Sequence, residues 1–124
     1  IDGAIIFTGN VDNIFQMLSA FDALIMPSFY EGFPVSLIEA QCAGLPCVVS
    51  DTITKETQIT DLISYESLNM DPKLWAEKIA KLSANNRNGD VREKYAQIVS
   101  ESGFDVQKVA QKLQNRYLKL SNTF

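Results

Sequence analysis

The sequence predicts an α/β fold, a parallel sheet flanked by helices, on three observations. Short apolar, β-prone runs alternate with stretches of helical periodicity through the first half. Glycine and proline punctuate the changes between them, and the second half is helical in pattern almost throughout. With 124 residues and 46% hydrophobic content, the chain can bury one ordinary core, so a single Rossmann-like domain over 1–124 is expected.

The elements follow in order. Residues 4–7, Ala-Ile-Ile-Phe, form a β-prone run closed by the turn signal Thr8-Gly9-Asn10. Asp12 is placed to cap a helix with Ile14, Phe15, Leu18 and Phe21 at helical spacing. Residues 23–26 read as a buried strand that Pro27 stops. Residues 34–43 read as a helix closed by Gly44, where a left-handed residue is wanted. Leu45-Pro46 then turns into a third strand, 47–49, which ends at Ser50-Asp51. Three strands with two crossover helices predict a right-handed βαβαβ unit. Beyond it, 62–65 add a short strand. Asp71-Pro72 is a cap with proline at the first helical position, opening a helix with Trp75, Ile79 and Leu82 on one side. Residues 85–90 are a polar break. Residues 91–99 and 105–120 are two more helices, the last with Val106, Val109, Leu113 and Tyr117 on one stripe.

Composition excludes several classes. The net charge of −4 and the thin spread of 11 Lys and Arg give no footprint for nucleic acid. Histidine is absent, and no Cys or carboxylate cluster has metal spacing, so no bound metal or other cofactor is expected. Two cysteines without a signal-like N-terminus point to the cytoplasm, and Cys42 and Cys47 read as small buried residues. No apolar run is long enough to span a bilayer. Because the chain opens at Ile1 and runs at once into apolar residues, it is expected to be a segment of a longer protein.

The stretch PSFYEGFPVSLIEAQCAGLPCVVSD, 27–51, carries the chemistry. In an open parallel sheet, ligands bind outside the carboxyl ends of the strands, which is where the 27–34 loop lies. The helix after it offers free amides and the positive end of its dipole to an anion, with the Ser36 and Leu37 amides as candidate phosphate donors. Gly32 permits close backbone approach, and the loop holds no Lys, so this is not a P-loop. Glu31 and Glu39 would repel an anion unless they grip neutral hydroxyl groups. A phosphate flanked by sugar rings satisfies both demands.

These residues resemble the donor-site signature of retaining glycosyltransferases of family 4, with the GT-B fold. The matching features are a Pro-Ser strand end, Glu, seven residues, Glu, then Ala-x-x-x-Gly-x-Pro-x-Val. The upstream FTGNVDN and SAFDALIMPS are similar to the family's two preceding segments. ITKE and the late Trp-Ala helix are similar to members that build capsular polysaccharide or exopolysaccharide. The resemblance implies that Glu39 binds the ribose hydroxyls of a nucleotide and that Glu31 is the catalytic-site carboxylate near the donor sugar. Gly32, Phe33, Pro34, Val35, Ser36 and Leu37 would then meet the sugar and diphosphate, and Gly9, Asn10 and Val11 would lie near the base. It implies transfer with retention from a nucleotide diphosphate sugar, most simply UDP-linked, without an obligatory metal. The acceptor would be a glycan or a lipid-linked glycan, met by the parent protein at the inner face of the cell membrane through peripheral association. Two departures matter: Pro34 stands where many members have Gly, and the family's diphosphate-binding Arg and Lys would precede Ile1, as would the acceptor domain. The chain would be the C-terminal, donor-binding part of the enzyme, inactive alone and a weak nucleotide binder.

Duller readings run beside these. Ser36-x-x-Glu39 also fits a helix capping box, which stabilises by roughly 1 kcal/mol. Tyr30 and Phe33 contact donor or acceptor, or only anchor the loop. Trp75 is a core residue, and the Lys and Arg of 73–94 face water or an anionic membrane. A reading from another class is a non-catalytic Rossmann-like module that binds a nucleotide or a partner, self-associating through the exposed sheet edge at its first strand.

Overall fold

A computed structural model describes residues 3–84 and 89–121. Its centre is β2 (Cys47–Ser50), flanked by β1 (Leu24–Met26) and β3 (Ile63–Glu66), all parallel. Every residue of β2 is buried, which is why Cys-Val-Val-Ser shows no polar alternation: both of its faces are covered. Leu24, Cys47 and Ile63 stand in one row and Met26, Val49 and Tyr65 in another, both on one face of the sheet. The intervening row, Ile25, Val48 and Ser64, is on the other.

The first face carries the core. α1 (Ile14–Ala20) and α2 (Val35–Cys42) supply Leu18, Leu37 and Ala40, which join Leu45, Cys47, Val49, Ile53 and Ile63 in one buried cluster. Burying each large aliphatic side chain there stabilises by roughly 1.5–3 kcal/mol. The second face takes α3 (Pro72–Ala84), whose Trp75 is buried and donates its indole N–H to the Ser67 carbonyl at 3.1 Å. Ile25 lines an apolar cavity of about 360 Å³ with Trp75, Ala76 and Ile79. α3 begins as the sequence indicates, with Pro72 first and Asp71 Oδ1 accepting the Lys73 N–H at 2.8 Å. α4 (Gly89–Val99) packs on α2 and ends in one π turn, Ser100–Phe104, where Gly103 takes φ 98°. α5 (Val106–Ser121) follows, capped by Asp105, whose Oδ1 accepts the Gln107 N–H at 3.0 Å.

Two polar devices tie these layers. Gln41, fully buried on α2, donates Nε2–H to the carbonyls of Leu37 at 3.0 Å and Thr57 at 2.8 Å. Its Oε1 accepts the N–H of Ile59 at 3.0 Å, the N–H of Thr60 at 2.9 Å and the Thr60 hydroxyl at 3.0 Å. One amide thereby folds the irregular segment between β2 and β3. Arg92 of α4 donates Nη1–H to the Ser19 carbonyl at 2.7 Å and Nη2–H to the Phe21 carbonyl at 3.1 Å, closing the end of α1. Its stem crosses Gly44, where a Cβ would stand 2.8 Å from Arg92 Cγ and where φ is 70°. Glycine is needed there for both reasons.

Several expectations are corrected. Residues 4–7 form no strand, and Phe7 is 94% exposed: β-propensity makes a strand only where a neighbour supplies ladder bonds, and none does among the described residues. The sheet reaches three strands instead through β3, so α2 is the crossover helix between β1 and β2, and a 3-10 turn, Lys55–Thr57, lies in the connection from β2 to β3. The edge strands are therefore β1 and β3, and 4–7 is not one of them. Asn13, not Asp12, caps α1, accepting the Gln16 N–H at 3.2 Å, and Phe15 and Phe21 are exposed. Within the polar break expected at 85–90, residues 85–88 lie outside the described residues, while 89–90 already belong to α4. The apolar stripe of α5 is exposed at Val106, Val109, Leu113 and Tyr117.

Gln41→Leu is expected to cost about 1–3 kcal/mol, since it strands the Thr60 amide, while the Ile59 N–H and the Thr57 carbonyl keep their own bond at 3.0 Å. Urea unfolding measures it, and a loss under about 1 kcal/mol would remove Gln41 from this role. Glu66, buried at the end of β3, is held below the usual glutamate value of 4.5 chiefly by the Lys78 ammonium, with the Ser64 hydroxyl adding to it against the cost of burial. The folded state thus binds this proton less readily than the unfolded chain, so the contribution is full above 4.5 and is lost as pH falls through the lower, folded value. The stability gap between wild type and Glu66→Gln should accordingly narrow in urea titrations below that pH. A gap independent of pH would contradict the pairing.

Candidate functional site

The carboxyl ends of the three parallel strands share one edge of the sheet, so the loops after β1 and β2 are neighbours there. The loop after β1, residues 27–34, holds Glu31. The Ser28 hydroxyl donates to Glu31 Oε1 at 2.9 Å, and from the loop after β2 the Thr52 hydroxyl donates to the Ser28 carbonyl at 3.0 Å. At its far end the loop is held by Phe33, whose ring stacks on Phe104 of the π turn with centroids 6.2 Å apart and planes 17° from parallel. Gly32 is exposed, with open space where a Cβ would be.

α2 follows at once, and its start differs from the expected one. Pro34 is the flanking residue, and no side chain caps the helix. Ser36 is already inside it, so the capping box with Glu39 is not made. The Leu37 amide donates to the Pro34 carbonyl at 3.0 Å and the Leu37 side chain is fully buried, which removes Leu37 from the candidate anion donors. Val35 and Ser36 keep amides that make no hydrogen bond among the described residues, as the first helical N–H groups should. Glu39 is half-buried on the second turn, and its carboxylate makes no hydrogen bond or ion pair among the described residues. Gly9, Asn10 and Val11 lie on the exposed connection before α1, with Gly9 at φ 61°, and no hydrogen bond among the described residues joins them to the 27–37 segment. Cys42 and Cys47 are free thiols that burial pushes upward, Cys47 to about 12, so neither is a thiolate.

Ser28 and Thr52 were not foreseen as parts of the site. The signal for Ser28 is local: Ser-x-x-Glu occurs twice here, at 28–31 and 36–39, and the bond forms in the loop rather than in the helix. Thr52 offers no such signal, because its partner lies 24 residues earlier in the chain.

The family model for Glycosyl transferases group 1 matches residues 1–85. Over 114 residues the chain is 38% identical to a Bacillus subtilis (strain 168) protein that carries the name glycosyltransferase EpsF, covering 91% of this chain and 29% of that one. It is 28% identical over 112 residues to the capsular polysaccharide biosynthesis glycosyltransferase CapH of Staphylococcus aureus, covering 89% and 29%. Over 40 residues it is 45% identical to the Escherichia coli UDP-Gal:alpha-D-GlcNAc-diphosphoundecaprenol alpha-1,3-galactosyltransferase, covering 32% and 10%. No solved structure matches the chain significantly. The chain thus spans 29% of the length of EpsF and of CapH.

With no cap and no ion pair to lose, Glu39→Ala should change stability by less than about 0.5 kcal/mol, and so should Ser36→Ala. Thermal unfolding tests both. A loss near 1 kcal/mol in either would restore the capping box.

Proposed function

The chain belongs to the group 1 glycosyl transferases, and on that premise we propose that it forms the nucleotide-sugar half of a transferase. The proposed enzyme moves a sugar, with retention, from a UDP-linked donor to a glycan or lipid-linked glycan during surface polysaccharide synthesis. The observation that carries this reading is the contrast between the two carboxylates. Glu31 is tethered by Ser28 in the loop beyond the sheet edge, whereas Glu39, on the helix that leaves this loop, is engaged by nothing among the described residues. A carboxylate without an internal role, beside unengaged amides, suits a ligand that brings hydroxyl groups and phosphate together.

In this reading Glu39 accepts hydrogen bonds from the ribose hydroxyls and Glu31 from the donor sugar. The diphosphate sits against the Val35 and Ser36 N–H groups, at the positive end of α2. Retention without an obligatory metal places the leaving diphosphate's charge on these amides and on basic side chains. Gly32 and Phe33 line the approach of the sugar, Gly9, Asn10 and Val11 that of the base, and Pro34 fixes the turn into α2.

The E. coli relative is named for a UDP-sugar donor and a diphosphoundecaprenol-linked acceptor, which supports a lipid-linked acceptor here. Such an acceptor puts the work at the cytoplasmic face of a membrane. The association proposed is peripheral; among the described residues no helix is long and apolar enough to cross a membrane. α5 fits such a surface: residues 106–121 contain four Lys and Arg and no Asp or Glu, and the apolar stripe is exposed.

An amide NMR titration with UDP tests the donor half-site. Shifts should centre on 32–39 and vanish in Glu39→Ala. Shifts elsewhere, or a Glu39→Ala variant that binds UDP as well as wild type, would sink the assignment.

A further inference from the structure

Resting on the reading of Glu31 as the donor-sugar carboxylate, we propose that Thr52 is a positioning residue for Glu31. It acts from the loop after β2 through the backbone of Ser28. The direction of each hydrogen bond in the group follows from its final acceptor. A carboxylate only accepts, so the Ser28 hydroxyl gives its proton to Glu31 Oε1 at 2.9 Å. A carbonyl only accepts, so Thr52 gives its one hydroxyl proton to the Ser28 carbonyl at 3.0 Å. That proton being spent, the 2.6 Å contact between Ser50 Oγ and Thr52 Oγ1 has Ser50 as donor. Ser50 Oγ in turn accepts the Thr52 N–H at 3.2 Å. Three hydroxyl protons are therefore all directed toward the Glu31 loop, and each hydroxyl in the series is used.

The anchor is the most constrained part of the fold. Ser50 is fully buried at the end of β2, the strand whose every residue is buried. The loop it steadies has little packing of its own: Phe29 and Tyr30, between Ser28 and Glu31, are 84% and 82% exposed. Between Ser28 and Glu31 side-chain packing contributes little, so the bond from Ser28 is what directs the half-buried Glu31. With Oε1 occupied by Ser28, Oε2 is the oxygen with no partner among the described residues, and it is the one that meets a sugar hydroxyl.

The test uses Thr52→Val, which keeps the shape and removes the hydroxyl, against Thr52→Ser, which keeps the hydroxyl. The first readout is the Glu31 side-chain carboxyl ¹³C resonance in the ligand-free protein. It should move in Thr52→Val and in Ser28→Ala and stay at the wild-type position in Thr52→Ser. A Glu31 resonance unmoved in Thr52→Val would overturn the proposal. The second readout is the affinity for UDP-galactose relative to UDP. This ratio should fall by about tenfold in Thr52→Val, as in Glu31→Ala, with UDP affinity unchanged and with Thr52→Ser close to wild type. If Glu31→Ala lowers the ratio and Thr52→Val does not, the positioning role is refuted. If Glu31→Ala leaves the ratio unchanged, the donor-sugar reading is what fails, and the ligand-free resonance still decides whether Thr52 holds Glu31. Because Thr52 is exposed, the variants should fold, which their urea midpoints will confirm.

Discussion

A buried carboxamide with five hydrogen bonds organises the irregular segment that leads into the third strand. Between β2 and β3 the chain has no crossover helix, so its backbone groups must find partners elsewhere or remain unpaired away from water. Gln41 meets part of this need from α2, taking up the Ile59 and Thr60 amides and the Thr57 carbonyl. Once that segment is fixed, Leu62 accepts the Cys47 N–H at 2.9 Å, β3 pairs along β2, and Glu66 accepts the Asp51 N–H at its carbonyl at 2.9 Å. Asp51 immediately precedes Thr52. The polar interior of one helix and the loop geometry at the sheet edge thus belong to a single chain of dependencies, and an apolar residue of the same size at 41 would fill the space without making it.

Elements with an end signal written into the residues were legible in the sequence. Pro72 after Asp71, and Gly44 after a helical run, mark positions whose backbone preferences leave few alternatives. The strands 24–26, 47–50 and 63–66 were legible to within a residue or two, since short apolar runs in a parallel sheet are hard to place elsewhere. The run 4–7 looks identical by composition and yet forms no strand, because pairing is a property of neighbours that propensity does not contain. At the candidate site, the 27–34 loop and the helix after it were legible as elements, but the helix start was not: Pro34 flanks it and Ser36 is already inside. What else was not legible depends on distance along the chain: Gln41 meets a partner 19 residues later, and Phe33 meets Phe104. Ser-x-x-Glu appearing twice shows the limit at close range too, as the pattern does not say which copy lies within a helix.

The two glutamates divide their labour in physical terms. Glu31 has already lost much of its rotational freedom to Ser28, so a ligand meeting it gains from a group held in advance. Glu39 retains that freedom and, on the proposed reading, surrenders it on binding at a cost of about 0.5–1.5 kcal/mol for a side chain of its length. Neither sits beside a Lys or Arg in the 27–37 segment, so neutral hydroxyls are better partners for them than the phosphate that the neighbouring amides suit. Family membership favours the transferase over the non-catalytic module, and this arrangement of acceptors beside amides is the local reason the preference makes chemical sense.

Arg92 has a consequence for the order in which the molecule assembles. Its bonds to the Ser19 and Phe21 carbonyls span 73 and 71 residues, and they close the end of a helix only seven residues long. A helix of that length does not persist alone in water, and the loop that must close before this clamp can form is more than half the chain. α1 should therefore gain its final stability late, after α2 and α4 have docked, and be among the first segments to exchange its amide protons with solvent.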